Sequence, residues 1–188
     1  MIPVKDDIPT ERVPLVTLLL IAADLLACVF LVHGETLRLL ADAPFLWWFG
    51  VSVEDATSRP RYALLLLLGA AAGVGVQAAL DSGAALAPAG AGGATAAAIA
   101  AHLTLHRRAR IVSLVVVPLL FQLVRLPTWV LAAAWLALQL AFALTLDGGW
   151  PGFAAQAAGF AIGLLAIRVL ARGRTPQRPA SDALAAVR

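Results

Sequence analysis

Six apolar segments dominate this sequence, and short stretches that hold most of the charged residues separate them. They run over residues 13–32, 39–50, 62–80, 90–105, 127–146 and 153–171. A helix of about 20 apolar residues crosses the ~30 Å hydrocarbon core of a bilayer. Only 13% of the residues are charged, against about 25% in soluble domains. The sequence therefore predicts an all-α, multi-pass membrane protein with six transmembrane helices and the lipid bilayer as its surroundings.

The basic residues give this topology an orientation. Six spans put both termini on one side of the membrane, and that side collects 13 of the 14 Lys and Arg residues, leaving only Arg38 on the other. Because cytoplasmic loops carry the excess of positive charge, both termini are predicted to be cytoplasmic. Residues 1–12 form a polar arm, residues 13–171 the membrane domain, and residues 172–188 a tail rich in Pro, Arg and Ala that we expect to be disordered.

Three connections complete the predicted topology. Residues 33–38 are interpreted as a polar turn, and residues 51–61, which include Glu54 and Arg59, as a loop. Residues 111–124 are apolar and rich in valine, but they are too short to cross the membrane and contain Pro118. They are predicted to form an interfacial or re-entrant connection.

Composition excludes several classes of site. The single cysteine, Cys28, lies in an apolar segment, so no disulfide framework is expected. His102 and His106 have no cysteine or carboxylate at ligand spacing, so neither a metal nor another cofactor is predicted, and His106 is assigned to a basic interfacial cluster. The basic residues flank apolar spans, which argues against nucleic acid as a partner. The alanine content favours a bacterial protein of the inner membrane, and the oligomeric state stays open.

A run of small residues at positions 87–99 stands out within this pattern. Pro88 and the glycines of the run punctuate the chain, and the alanines after them favour a helix. A helix with almost no side chain on its first turn lets neighbouring helices approach its backbone closely. The other spans are therefore predicted to pack around this one.

Several segments together resemble the rhomboid family of intramembrane serine proteases. The segment Phe45-Leu46-Trp47-Trp48-Phe49-Gly50, followed by Val53-Glu54-Asp55, resembles the end of the family's second span. The stretch 90–94 resembles its Gly-x-Ser-Gly motif, and 156–163 resembles its His-x-x-Gly-x-x-x-Gly pattern. The stretch 124–129, together with Trp135 and Gln139, resembles the entry to its fifth span. The resemblance implies a six-helix rhomboid-like bundle, in which Gly90, Gly93, Gly159 and Gly163 allow the fourth and sixth helices to approach closely.

The departures from the family pattern fall on its chemistry. Gly92 stands where the family has its nucleophilic serine, and Gln156 stands where it has its general-base histidine. Arg38 and Asp42 stand where a histidine and an asparagine assist the oxyanion site. Glycine has no side chain to attack a substrate, and an amide does not titrate near neutral pH, so no intact dyad remains. A carboxylate at position 42 would also oppose a developing oxyanion.

The resemblance thus predicts a catalytically inactive homologue that binds transmembrane segments of client proteins. One alternative is a divergent serine-type endopeptidase with a relocated dyad, for which Thr95, His102 and His33 are the residues considered. A small transporter or channel is a second alternative, although no inverted repeat is evident and intramembrane acids are few.

Some single residues admit two interpretations. Asp24 is either a functional ionisable group or a structural acid in the first span. Arg38 and Asp42, four residues apart, are expected to form a structural ion pair rather than a ligand site. Gly159 and Gly163 are expected to pack within the bundle rather than to drive dimerisation.

Overall fold

The computed structural model describes residues 2–6, 13–28, 33–81, 83, 86–106, 109–117, 120–145 and 149–171. Its elements in chain order are β1 (Ile2–Asp6), α1 (Leu15–Cys28), α2 (His33–Thr57), α3 (Arg59–Leu80), α4 (Leu86–Leu105), β2 (Arg110–Val117), β3 (Leu120–Pro127), α5 (Thr128–Thr145) and α6 (Gly149–Leu170). The predicted tail at 172–188 and the second half of the predicted arm lie outside the described residues.

The six helices of the described chain confirm the predicted helical membrane fold. Three of them, α3, α5 and α6, are long and apolar enough to cross a membrane. Helix α1 is apolar but shorter, with 14 described residues. Leucine, valine and tryptophan side chains cover much of the outer surface of the bundle, as a lipid environment requires.

Helix α4 lies at the centre of the bundle, packed against α2, α3 and α6. Its side chains from Gly92 to His102 are all buried. Apart from Ile99 and His102 these residues are small, so the surrounding helices approach the α4 backbone rather than a layer of large side chains. The prediction that the chain is organised around this lean helix agrees with the packing.

The observed start and end of α2 both differ from the predicted boundaries. It begins at His33, within the predicted turn, and continues to Thr57 through most of the predicted loop at 51–61. The helix ends before Ser58, the one non-glycine residue of the described chain with a positive φ, 134°. Pro60 lies in the first turn of α3, where its missing N–H costs no helical hydrogen bond.

Glu54 explains why charged residues stay helical at this point. Its carboxylate accepts hydrogen bonds from the backbone N–H groups of Val16 and Thr17 at 3.0 and 2.9 Å. It also accepts a bond from the Thr17 hydroxyl at 2.9 Å, while the Arg59 guanidinium lies 4.0 Å away. A side chain of α2 therefore satisfies the free N–H groups at the start of α1, as an N-cap does.

Two paired strands, β2 and β3, lie where the sequence predicted no strand. Strands β2 and β3 pair antiparallel from Arg110 with Pro127 to Val117 with Leu120. Strand β1, part of the predicted polar arm, pairs antiparallel with β2 and gives the sheet order β1-β2-β3. The β-branched residues of the segment favour strands. Whether this segment lies at a membrane interface stays a prediction.

The hydrogen bonds of Glu54 should contribute measurably to the free energy of unfolding. Replacing Glu54 with Ala leaves the N–H groups of Val16 (part-buried) and Thr17 (buried) without their acceptor. We therefore expect a loss of about 1–3 kcal/mol and a clearly lower melting temperature in detergent. The matched control is Asp81→Ala, which removes a single exposed contact with the backbone N–H of Gly83. Equal melting temperatures for the two variants would contradict this role.

Candidate functional site

Gly92 of α4 and Gln156 of α6 face each other inside the bundle. A Cβ atom built on Gly92 would lie 2.9 Å from Gln156 Nε2 and 3.1 Å from its Cγ. Both residues are buried. The two positions that the sequence paired, 64 residues apart in the chain, are therefore neighbours in the fold.

A hydrogen-bond network continues from Gln156 to α2 and α5. Oδ1 of Asp42 accepts bonds from Trp135 Nε1 at 2.9 Å and from Gln139 Nε2 at 2.7 Å. Gln156 Nε2 donates to Gln139 Oε1 at 3.0 Å and, more weakly, to Asp42 Oδ2 at 3.5 Å. All four side chains are buried, so three helices are joined by polar contacts in an apolar interior, where such bonds are strong.

The spacing of these residues follows from helix geometry. Trp135 and Gln139 are four residues apart and so share one face of α5, the face that meets Asp42. The sequence singled out Asp42 and Gln156 for the site but not Trp135 or Gln139 as its partners. Their i, i+4 spacing was the available signal, since a buried amide and an indole N–H both need acceptors.

Arg38 lies one turn before Asp42 at the edge of the network. Its Nη2 donates to the backbone carbonyl of Phe142 at 3.4 Å, and its guanidinium lies directly against Gly152. Its charge also acts on the Asp42 carboxylate. Arg38 thus connects α2 with the end of α5 and the start of α6, beside the Asp42 contacts that hold the middle of α5.

Glycines set the distance between the helices around this site. A Cβ on Gly159 would overlap the carbonyl oxygen of Gly93, and one on Gly163 would lie 2.6 Å from the Cα of Ala97. A Cβ on Gly93 would lie 2.5 Å from the carbonyl oxygen of Gly69 on α3. Gly90 faces α3 rather than α6, with Val74 as its nearest neighbour. The sequence did not single out Gly69.

An apolar groove opens beside Gln156. It has a volume of about 320 Å³ and is bounded by α5, α6 and Leu103 of α4. Its lining is aromatic and aliphatic apart from the Gln156 amide, with Trp129, Trp135, Phe153 and Phe160 contributing the rings. Trp129 and Leu136 are exposed at its edge, so the groove reaches the outer surface of the bundle.

The residues considered for a relocated dyad do not come together. Thr95 is fully buried, and its hydroxyl has no hydrogen-bond partner within the described structure. His102 follows it by seven residues on the same helix, about 10 Å along the axis. The His33 side chain lies outside the described residues.

The sequence missed a different pair, Ser52 and His102. Ser52 Oγ lies 2.8 Å from His102 Nδ1, and both side chains are buried. The ring of His106 is 5.1 Å from that of His102, and the Nε2 atoms of both rings lack partners among the described groups. The pair joins α2 to α4 across 50 residues, a separation for which the sequence offers no local signal.

The side chain of His106 is buried, and its assignment to a basic interfacial cluster stays a prediction because Arg107 and Arg108 lie outside the described residues. His106 is 4% exposed, at the point where α4 ends. Its carbonyl accepts a bond from the N–H of Ala109, whose own carbonyl accepts one from Thr128 at the start of α5. Burial lowers the pKa of the His106 imidazole to about 4, although a hydrogen bond to the backbone of Ser52 opposes the shift.

Comparison with known proteins decides the family. The family model described as the Rhomboid domain matches residues 22–173, well over half of the chain. The chain belongs to the rhomboid family. No curated protein and no solved structure matches it.

Gly92 and Gln156 both lie within the segment that matches the Rhomboid domain. The match covers α4, α5 and α6 in full, together with all of α2, and so includes every residue of the Asp42 network. Among the described residues, no three His, Cys, Asp or Glu side chains group as metal ligands would. The site is thus a buried amide–carboxylate network set within a rhomboid bundle.

The glycine contacts predict a sharp contrast between two substitutions. Gly159→Ala places a methyl group on the backbone of Gly93, so we expect a loss of about 1–3 kcal/mol, the usual cost of overpacking. Gly75→Ala is the matched control, because a Cβ there has nothing within 4 Å and alanine favours the helix. Thermal unfolding in detergent measures both. A Gly159→Ala protein as stable as Gly75→Ala would contradict the packing.

His106 predicts a pH dependence of stability. Its folded pKa lies below the unfolded value of 6.5, so its contribution is complete above pH 6.5 and falls as acid protonates the unfolded chain. Between pH 6.5 and about 4 the loss approaches about 1.4 kcal/mol per pH unit. The free energy of unfolding is measured at pH 7.5 and at pH 5.5. The difference between the two values should be smaller for His106→Leu than for the native chain. An unchanged difference would rule His106 out as its source.

Proposed function

We propose that this rhomboid-family protein is catalytically inactive and binds transmembrane segments of client proteins. The observation that carries the first half is the contact between Gly92 and Gln156. A rhomboid protease needs a nucleophile beside a general base. At the two matching positions this chain has Gly92, whose side chain is a hydrogen atom, and Gln156, whose side chain is an amide. Neither can form an acyl intermediate or accept a proton near neutral pH.

The surrounding hydrogen bonds support inactivity further. Both Nε2 hydrogens of Gln156 have acceptors, Gln139 and Asp42, and Asp42 also holds Trp135. The Asp42 carboxylate, beside Gly92 and Gln156, would repel a developing oxyanion instead of stabilising it. The network therefore favours a structural role for these residues over a catalytic one.

The apolar groove supports the second half of the proposal. It runs between α5 and α6, opens at the exposed side chains of Trp129 and Leu136, and ends on the Gln156 amide. Side chains of a transmembrane helix are apolar, so they can fill such a groove directly from the lipid.

The proposed setting is a bacterial inner membrane. The distribution of Lys and Arg supports a topology with both termini in the cytoplasm.

A cleavage assay tests inactivity. The purified protein is reconstituted in liposomes with a rhomboid-type transmembrane substrate, and a serine-reactive fluorophosphonate probe is applied in parallel. We expect neither cleavage nor labelling. The Gly92→Ser/Gln156→His variant provides the comparison, and cleavage by this variant would place positions 92 and 156 at the family's catalytic centre. Cleavage by the native chain would overturn the proposal.

Site-specific crosslinking tests client binding. A photoreactive amino acid at Leu136, on the edge of the groove, should crosslink the same transmembrane substrate in the liposomes. The matched control places it at Leu165, which is 59% exposed on α6 but does not line the groove. Equal yields at both positions, or none at either, would overturn the binding half of the proposal.

One observation favours a second candidate, a serine-type hydrolase that uses Ser52 and His102. Their 2.8 Å contact has the geometry of a nucleophile with its base. Against it, both side chains are buried, and the Ser52 hydroxyl also reaches the carbonyl of Phe49 at 3.3 Å. Fluorophosphonate labelling of the native chain that disappears in Ser52→Ala would establish this candidate.

A further inference from the structure

A second cavity lies on a different face of α4 from Gly92. It has a volume of about 290 Å³ and is lined by residues of α1, α3 and α4 together with Leu39 of α2. Its walls are leucine, alanine and glycine, and the carboxyl group of Asp24 is its single polar side chain. None of its residues belongs to the Asp42 network or to the groove beside Gln156.

One oxygen of the buried Asp24 carboxyl group lacks the hydrogen-bond partner that a buried polar atom requires. The residue is 4% exposed, and its Oδ2 has no hydrogen-bond partner among the described residues. An unpaired acid inside a membrane protein is costly, and such residues usually pair or mark a functional site.

The position of the cavity defines how a ligand would reach it. Leu67 lies at its rim and is 66% exposed on the outer surface of the bundle. Asp24 is nine residues after the start of α1, about 14 Å along a helix axis. The carboxyl group is therefore reached from the hydrocarbon region, which selects a molecule that dissolves in lipid.

The volume and lining set the shape of that molecule. An apolar cavity of about 150 Å³ accommodates benzene, so this one has room for an apolar body roughly twice as large. The wall offers dispersion contacts and one hydrogen-bond acceptor. A ligand that matches both the apolar wall and the acceptor carries a single donor group at the end of a compact hydrocarbon body.

We propose that this cavity binds a small apolar amine, with the ammonium group on the Asp24 carboxylate and the hydrocarbon body between α1, α3 and α4. An amine is favoured over a neutral alcohol because it can take the proton of the buried acid, which leaves an ammonium group donating to the Asp24 carboxylate. Charge-assisted hydrogen bonds are also the stronger kind. The proposal is independent of the client-binding function, since it uses other residues and another face of α4.

Photolabelling in nanodiscs tests the proposal directly. The probe is a primary alkylamine with a diazirine on its chain, and the matched probe is the alcohol with the same chain and diazirine. After irradiation, mass spectrometry locates the adducts. We expect amine adducts on the peptides that contain Leu20 and Leu67, and a yield at least about tenfold lower in Asp24→Leu, from the loss of a charge-assisted bond.

Two further variants keep the result interpretable. Ala91→Leu fills the cavity while leaving the carboxyl group in place, and it should lose the labelling as Asp24→Leu does. Asp81→Asn removes an acid at the end of α3 outside the cavity, and it should label like the native chain. Melting curves of all variants establish that each is folded.

Each outcome bears on the proposal. Loss of amine labelling in both cavity variants, with weak labelling by the alcohol throughout, supports it. Labelling by the alcohol that equals labelling by the amine would overturn the assignment of a cationic head group. Amine labelling that persists in Asp24→Leu or in Ala91→Leu would overturn the site itself.

Discussion

The contact of helix backbones at Gly93 is the constraint on which the rest of this structure depends. Gly69 of α3 and Gly159 of α6 both lie against the Gly93 carbonyl, and neither position has room for a methyl group. In a bilayer, helices gain little by hiding apolar side chains from lipid, so close backbone packing supplies much of the association energy. Three glycines from three helices therefore fix the centre of the bundle.

That spacing determines what the polar residues can do. Because α4 and α6 are in backbone contact, the Gln156 side chain lies against Gly92, and its amide is aimed towards α2 and α5. Asp42 then joins Gln139 and Trp135 of α5 to α2. Helix α5 has few direct contacts with α4, so these buried hydrogen bonds are a substantial part of what holds it in place.

The sequence was most informative where a property is local. Hydropathy located α3, α5 and α6 to within a few residues, and the small-residue run located the central helix. The predicted end of α2 was wrong because Glu54 looked like a loop residue, and the contact that satisfies its carboxylate reaches 37 residues back to Thr17. The contact between Gly92 and Gln156 followed from the family resemblance, whereas Ser52 and His102 had no motif to connect them. Pairings between distant segments appear only once the helices are packed.

The two faces of α4 differ in how completely their hydrogen-bonding groups are used. Beside Gly92, the side chains of Gln156, Gln139 and Trp135 each donate a hydrogen bond within the network, so they are already engaged with one another and with Asp42. On the other face, Asp24 lies in an apolar cavity with an oxygen that nothing in the described structure satisfies. A fully paired buried network stabilises one arrangement, whereas an unpaired acid gives up stability that a ligand can restore. By that criterion a ligand has more to gain at Asp24, whose unsatisfied oxygen lies in a cavity, than at the Asp42 network, whose side chains bond to one another.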